Sequence, residues 1–259
     1  YGVSATENAL SVGLKGAAIN TSFSNVPVGT DYGYFGGGTG PVSTVDRIDY
    51  SSDTPTAVAK GPLSTARKQL AATGNTSYGY FGGGEDPGSF STVDRVDYSS
   101  DTPTAIAKGP LSAAKRSLGA VGNNSYGYWG SGYPAPGNGT SIVDRVDYSN
   151  DTATALARGP LSQGTFTLAA TGNASYGYFG GGYPALSTVD RVDYSNDTAT
   201  ISTKGPLSVA RQNVGATGNA SYGYFAGGGP SPGAVSTVDR IDYSSDTSTA
   251  AAKGPLSAA

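Results

Sequence analysis

A unit of roughly 46 residues recurs five times in this chain, and this repeat limits the possible folds more than any other feature. The string Tyr-Gly-Tyr-aromatic occurs at intervals of 46, 48, 50 and 46 residues, at Tyr32, Tyr78, Tyr126, Tyr176 and Tyr222. Val-Asp-Arg-(Val/Ile)-Asp-Tyr follows from Val45, Val93, Val143, Val189 and Val238, and Gly-Pro-Leu-Ser from Gly61, Gly109, Gly159, Gly205 and Gly254. Such a period is typical of architectures in which one small structural unit packs against the next copy.

Each unit contains four short strand-like stretches separated by turn residues. In the second unit these stretches are residues 70–73, 78–81, 91–98 and 102–107, all rich in aromatic, β-branched or small apolar residues. Glycine, asparagine, serine and aspartate lie between them, and these residues favour turns. Four short strands, repeated, are the pattern of an all-β protein. The sequence therefore predicts an all-β fold, a five-bladed β-propeller of four-stranded antiparallel blades.

The glycine inside the aromatic strand gives a prediction about where that strand lies. It stands at one fixed place in each repeat, at Gly33, Gly79, Gly127, Gly177 and Gly223. Glycine weakens a strand unless another group has to approach closely. We therefore expect the aromatic strand to be the innermost one, where five strands crowd around the axis of the propeller.

The domain boundaries follow from the repeat. Residues 20–259 are expected to form the propeller, and residues 1–19 a linker or assembly segment. The last unit ends without a following first strand, so residues 20–28 are expected to supply that strand and close one blade. Two alternatives remain open, namely an open array of blades and a ring completed by another chain.

Composition argues against several function classes. The formal charge is -3, and no basic stripe is present to neutralise phosphates, so nucleic acid is not an expected partner. No apolar run approaches the roughly 18 residues that a membrane helix needs, so membrane insertion is not expected. The chain lacks His and Cys, which removes the usual neutral-pH acid–base and the commonest metal ligands. We expect no cofactor, no metal site and no enzymatic activity.

The repeated charges predict a scaffold rather than a catalytic site. Of 19 acidic residues, 15 are the three repeated Asp of each unit, and such repetition is unlike an asymmetric active site. A catalytic alternative would use Asp94, Arg95 and Asp97, and a calcium alternative would use Asp97 and Asp101. The order of ligands in a calcium loop is missing here, so pairing within the scaffold is the favoured interpretation.

The segments just after the glycine run differ most between units, and they are the candidates for binding. They cover residues 39–42, 85–90, 133–142, 183–186 and 229–235. In a propeller, equivalent loops gather on one face, and loops often carry function. The candidate ligand-binding residues, for a glycan or a protein, are Asp86, Phe90, Tyr133, Asn138 and Tyr183. Neutral variation of the loops is the alternative.

The repeat resembles the kelch repeat. Kelch blades carry a Gly-Gly doublet after an apolar strand, as in Phe81-Gly82-Gly83, followed by a Tyr that matches Tyr98. An Arg after a Pro-containing turn matches Arg67. Where kelch blades have a Trp about six residues after that Tyr, this chain has Thr104, which implies lighter packing. The resemblance implies a kelch-like propeller.

The amino-acid sequence of the repeat also looks like that of repeats in structural proteins of marine tailed phages, especially cyanophages. The similar part runs from Tyr-Gly-Tyr-Phe-Gly-Gly-Gly through Val-Asp-Arg-Val-Asp-Tyr-Ser-Asn-Asp-Thr. That resemblance implies a tail-associated or virion-surface protein. Its partners would be other structural proteins of the particle or a host-surface glycan or protein, with a homo-oligomer as a further option. The alternative is a free, extracellular, lectin-like or scaffold propeller outside any virion.

Overall fold

Two of the three repeated strings form strands, namely Tyr-Gly-Tyr-aromatic and Val-Asp-Arg-(Val/Ile)-Asp, whereas Gly-Pro-Leu-Ser lies outside the described strands. The computed structural model describes residues 12–14, 17–21, 32–38, 40–134, 138–199, 201–230 and 233–258, with backbone only for the first two ranges. The chain is an all-β, five-bladed propeller built from antiparallel sheets. No helix in this described part is long and apolar enough to cross a membrane.

The strands follow one another in chain order, and each blade takes its strands from one repeat. A hairpin of β1 (Val12–Leu14) and β2 (Ala17–Thr21) precedes blade 1, which contains β3 (Tyr32–Gly36), β4 (Val45–Asp49) and β5 (Val58–Ala59). Blade 2 contains β6 (Ala71–Gly74), β7 (Tyr78–Gly82), β8 (Val93–Asp97) and β9 (Ile106–Ala107). Blade 3 contains β10 (Gly119–Gly122), β11 (Tyr126–Gly130), β12 (Val143–Asp147) and β13 (Leu156–Arg158), with a 3₁₀ turn over Tyr148–Asn150. Blade 4 contains β14 (Ala169–Gly172), β15 (Tyr176–Gly180), β16 (Val189–Asp193) and β17 (Ser202–Thr203). Blade 5 contains β18 (Gly215–Gly218), β19 (Tyr222–Ala226), β20 (Val238–Asp242) and β21 (Ala251–Lys253).

The register is the same in every blade, because the same residues face each other. In blade 2, Tyr80 lies opposite Thr73 on one side and Arg95 on the other. The equivalent Tyr128 of blade 3 lies opposite Val121 and Arg145. This constancy places each repeated side chain at one fixed position relative to the next blade.

The hydrophobic core lies between adjacent blades rather than inside one. One cluster joins Tyr34 and Leu63 of blade 1 to Phe81 and Val96 of blade 2, and three similar clusters follow around the propeller. Burying a side chain such as Leu63 contributes about 1.5–3 kcal/mol. A blade gains this contribution only when its neighbour is present.

The predicted position of the aromatic strand is wrong. The strands that meet near the axis are the small-residue strands β6, β10, β14 and β18, and in blades 2 to 5 the aromatic strand lies next to them, further from the axis. The glycine inside β7 makes room for a ring instead, because a Cβ on Gly79 would lie 2.9 Å from the hydroxyl of Tyr98. That Tyr98 ring stacks on Tyr34 of the preceding blade, with centroids 4.8 Å apart.

The N-terminal hairpin differs from what the sequence predicts for this region. Residues Asn20 and Thr21 pair in parallel with Ala71 and Ala72 of β6, so β2 extends the sheet of blade 2. The described part of blade 1 has three strands, and most of the predicted closing strand, residues 22–28, lies outside the described residues. Residues 1–11 of the predicted linker also lie outside the described residues. The hairpin itself lies near β10 and β18 as well as β6.

Candidate functional site

One ion cluster recurs wherever two consecutive blades meet. Asp101 of blade 2 accepts hydrogen bonds from the Tyr34 hydroxyl at 2.9 Å and from Arg47 at 2.8 Å, both in blade 1. Lys60 lies 3.2 Å from the other oxygen of the same carboxylate. The cluster is repeated three more times, at Tyr80–Arg95–Lys108 with Asp151, Tyr128–Arg145–Arg158 with Asp197, and Tyr178–Arg191–Lys204 with Asp246. We call this arrangement the blade junction.

The junction shifts the pKa of its members in opposite directions. Burial alone would raise the pKa of Asp101, but hydrogen bonds from Tyr34 and Lys60, with the charge of Arg47, hold the pKa below its usual value. Burial, together with the bond to Asp101, raises the pKa of Tyr34. Asp101 is therefore a carboxylate and Tyr34 a neutral phenol at neutral pH.

A second ion pair lies wholly inside the blade. Arg67 and Asp94 are both completely buried, with 2.7 Å between Nη1 and Oδ2, and Arg67 also donates to the carbonyl of Phe81. Lys115 with Asp144 and Arg211 with Asp239 repeat the pair in blades 3 and 5. Burial lowers the pKa of Lys115 from its ordinary value, against the opposing charge of Asp144.

Blade 4 lacks this cation, because Thr165 stands where the other three blades have Arg or Lys. Its aspartate, Asp190, accepts hydrogen bonds from the amide and hydroxyl of Ser162 and from Thr203 instead. A cavity of about 10 Å³, room for one water molecule, lies between Thr165 and Asp190. Among blades 2 to 5, blade 4 is thus the one in which hydrogen bonds to the buried aspartate replace the buried ion pair.

The catalytic alternative needs Asp94, Arg95 and Asp97 to act as one site, and the calcium alternative needs Asp97 and Asp101 to share one ion. In the structure these side chains bond to different partners. Asp94 pairs with Arg67 in its own blade, whereas Arg95 bonds Asp151 in the next blade. Asp97 accepts the amide and hydroxyl of Ser99 at 2.9 and 2.7 Å within its own turn. Each of these residues is occupied by a different part of the scaffold.

The variable segments all run beside the stretch that precedes an inner strand. Single antiparallel bridges join Val42 to Arg67, Glu85 to Lys68, Tyr133 to Arg116, Tyr183 to Phe166 and Gly229 to Gln212. Lys68, Arg116, Phe166 and Gln212 occupy equivalent places in blades 2 to 5, and Arg67 directly precedes Lys68. The loops with the greatest sequence variation therefore lie on the same side of the propeller.

Three aromatic rings meet on this side, across blades 3 and 4. The ring of Phe166 lies 5.3 Å from that of Tyr133 in an edge-on contact, and 4.9 Å from that of Tyr183 in a tilted contact. The guanidinium of Arg116 stacks on the ring of Tyr133, 4.8 Å from its centroid. Tyr183 is 49% exposed, so the group reaches the surface. We call Arg116, Tyr133, Phe166 and Tyr183 the aromatic arc.

Acidic and basic groups continue the arc into blade 2. Arg116 forms an ion pair with Glu85, and Lys68 lies 3.5 Å from the other oxygen of that carboxylate. Glu85 is buried and held by both cations, so it fixes the position of Arg116 beside Tyr133. The surface thus offers a ring face next to a fixed cation, a combination suited to polar ligands with an apolar side.

The five predicted binding residues separate into two groups. Tyr133 and Tyr183 are brought together through Phe166. Asp86 and Asn138 are exposed, and no described contact joins either side chain to the aromatic arc; residues 135–137 beside Asn138 lie outside the described part. Phe90 is half-buried, and its described contacts are backbone hydrogen bonds to Gly84 and Lys115.

Sequence reasoning missed Phe166, Arg116 and Glu85. A signal for Phe166 was present, since the basic pair that stands at Arg67-Lys68 in blade 2 is replaced by Thr165-Phe166 in blade 4. A half-buried aromatic residue in place of a repeated cation marks a departure from the scaffold. Glu85 lies in the variable segment 85–90, but its ion pair with Arg116 leaves no signal in the sequence, because the two residues are 31 positions apart and belong to different units.

Comparison with known proteins gives the fold and nothing finer. No family model matches the chain, and no curated protein matches its sequence. Many solved structures are similar, among them one titled "Structure of YjhT", with a TM-score of 0.74 and 13% identical residues. The similarity covers 96% of this chain and 86% of that one. At this identity the likeness shows a shared propeller fold.

Proposed function

We propose that this chain is a non-enzymatic structural or binding module that contacts a glycan or protein of a host surface through the aromatic arc. The observation that carries the proposal is the group of three rings around Phe166, which reaches the surface at Tyr183. Aromatic rings bury a large apolar area and keep a polar edge, so they are common anchors in interfaces. The rings lie on the side where the repeats differ, as expected of a specific site on a regular scaffold.

The absence of enzymatic activity is part of the proposal and is supported by how the charges are used. The repeated Asp and Arg side chains that were the catalytic candidates each hold a neighbouring strand, turn or blade. A general acid or base needs a pKa near the working pH and access to substrate. The lowered pKa of Asp97 and its bonds to Ser99 do not meet those needs.

The proposed setting is a phage particle, at its tail or surface, with a kelch-like propeller as the module. The phage setting is supported only by the resemblance of the repeat's amino-acid sequence to repeats in phage structural proteins. Mass spectrometry of purified cyanophage particles, with antibody labelling in electron micrographs, tests this setting. Detection of the chain outside particles, as a free extracellular protein, would favour the lectin-like or scaffold alternative.

Binding itself is tested with the purified chain on glycan arrays and on host cells. We expect Phe166→Ala and Tyr183→Ala to lose binding, since either change removes one face of the ring group. Ile106→Ala is the matched control, because Ile106 is 58% exposed and lies on β9, away from the arc. Absence of binding by the unchanged chain to any glycan or cell would remove the host-contact part and leave a structural role.

A further inference from the structure

The buried ion pairs of blades 3 and 5 show where a positive charge lies inside a blade. In blade 3 the ammonium of Lys115 lies 3.1 Å from Asp144 and donates to the carbonyls of Trp129 and Ile142, at 3.0 and 3.3 Å. In blade 5 Arg211 bonds its aspartate and three backbone carbonyls. In both blades the positive charge is therefore surrounded by one carboxylate and by backbone carbonyl oxygens.

Blade 4 has the same backbone positions without the basic side chain. The residues equivalent to those that offer their carbonyls in blades 3 and 5 are Phe179, Gly181 and Thr188. All three line the cavity between Thr165 and Asp190. The space that Lys115 fills in blade 3 is thus a cavity in blade 4, with a carboxylate in its wall.

Asp190 is a buried carboxylate, and the donors that reach it among the described residues are neutral. It is 4% exposed, and it accepts hydrogen bonds from the amide and hydroxyl of Ser162 and from the hydroxyl of Thr203. The residue opposite the aspartate is Thr only in blade 4, and it is Ala in blades 2, 3 and 5. These donors replace hydrogen bonds but not charge, and a buried charge is costly unless an opposite charge lies beside it.

We propose that the cavity of blade 4 binds a monovalent cation of the size of K⁺ or NH₄⁺, in the position that the ammonium of Lys115 takes in blade 3. Backbone carbonyl oxygens can replace the hydration shell of K⁺, as they do in channel filters. A water molecule has only two protons to donate, whereas the cavity wall combines a carboxylate with several residues that offer carbonyl oxygens. A cation also neutralises Asp190, which water does not.

The charge of the site favours a monovalent ion. A single carboxylate matches a single positive charge, and among the described residues no group of three acidic side chains could hold a metal ion. Divalent ions such as Ca²⁺ take six to eight oxygen ligands, several of them carboxylates. The sequence predicts no metal site because His and Cys are absent, but K⁺ needs neither of them.

The cation has a short route to solvent. Gln163 is exposed and donates to the hydroxyl of the half-buried Thr188 at 3.1 Å, and both residues line the cavity. Movement of these two side chains is enough to open the cavity. Exchange with the surrounding salt is therefore expected, and the inference does not depend on the proposed host contact.

Thermal unfolding of the whole chain in different salts tests the site. A cation that binds only the folded chain raises the unfolding midpoint by an amount that grows with its concentration. We expect KCl or NH₄Cl, in place of choline chloride at the same ionic strength, to raise the midpoint by about 2–5 °C near saturation. Choline is too large for the cavity, so it reports the effect of ionic strength alone.

Two variants remove the site in different ways. Thr165→Lys supplies the ammonium of blade 3 covalently, so the K⁺-dependent shift should disappear and the midpoint in choline chloride should rise. Asp190→Asn removes the carboxylate, and the K⁺-dependent shift should disappear here too. Thr65→Lys is the matched control, because it adds the same charge at an exposed position in blade 2 and should keep the full shift.

Crystals grown with a thallium salt give a second reading, since Tl⁺ replaces K⁺ and scatters anomalously. We expect one peak beside Asp190 in the unchanged chain and in Thr65→Lys, and none there in Asp190→Asn. If Thr165→Lys does not fold, Asp190→Asn still provides both comparisons. Equal midpoints in KCl and choline chloride would overturn the proposal and indicate a water molecule in the cavity, and a K⁺-dependent shift that persists in Asp190→Asn would overturn it as well.

Discussion

At the scale of single residues, small side chains are required wherever a ring of the next blade arrives. Gly82 is the clearest case, because an added Cβ would lie 2.6 Å from the indole nitrogen of Trp129, which donates to the carbonyl of Ala71. Buried charges are the second requirement. Arg67 and Asp94 are tolerated inside blade 2 because each neutralises the other.

The first prediction concerns the glycine at the junction. Gly82→Ala should destabilise the chain by about 1–3 kcal/mol, because the Trp129 ring has to move to admit the methyl group. Gly88→Ala is the matched control with open space around it, and its effect should stay within about 0.5 kcal/mol. Urea denaturation measures both, and equal effects of the two changes would contradict the packing described here.

The second prediction compares two buried aspartates. Asp94→Asn leaves the charge of Arg67 unpaired in the interior and should cost about 3–5 kcal/mol. Asp190→Asn removes a charge that has no cation beside it among the described residues, and should cost about 1–2 kcal/mol through its hydrogen bonds. If thermal or urea unfolding ranks Asp190→Asn as the more damaging change, the assigned pairing is wrong.

At the scale of strands and turns, the sequence was sufficient for some features and insufficient for others. The turn and strand residues of the repeat predicted four strands per unit, because glycine, serine and aspartate have strong local preferences. Which strand is innermost depends on packing against other blades, and the glycine of β7 was therefore misinterpreted. Phe166 became part of the site only through contacts with Tyr133 and Tyr183, which lie on loops 33 and 17 positions away.

The third prediction concerns the Asp–Ser turns that end the third strand of each blade. Hydrogen bonds from Ser99 are the main cause that lowers the pKa of Asp97, and Asp49, Asp147, Asp193 and Asp242 behave alike. A lowered folded-state pKa gives stability that is present above the unfolded value of about 3.9 and is lost as the pH falls through the folded value. Asp101 contributes in the same direction.

We therefore expect a urea midpoint that is level between about pH 7 and pH 5 and falls below about pH 4. Ser99→Ala should make that fall shallower, since it removes part of the preference for the ionised form of Asp97. Midpoints measured across this range check both statements. A midpoint at low pH equal to that at neutral pH would contradict the role given to these turns.

At the scale of the whole molecule, the blades are stabilised by their neighbours. The four hydrophobic clusters and the four ion clusters all cross from one blade to the next. The repeated residues are therefore used by the scaffold, whereas the aromatic arc, the proposed binding surface, is formed by residues that differ between the repeats. Repeat spacing predicted the propeller, but the residue pairs at each junction, such as Arg95 with Asp151, depend on how the blades pack in three dimensions.

The most direct test of this account is a double-mutant cycle on Arg95, measured by urea denaturation. Arg95→Ala combined with Asp151→Ala should show a coupling energy of about 1–3 kcal/mol, because the two side chains bond at 2.7 Å across blades 2 and 3. Arg95→Ala combined with Asp101→Ala, a pair closer in sequence but engaged at different junctions, should be additive within about 0.5 kcal/mol. Coupling of Arg95 to Asp101, with none to Asp151, would mean that the blades do not pack against one another as described.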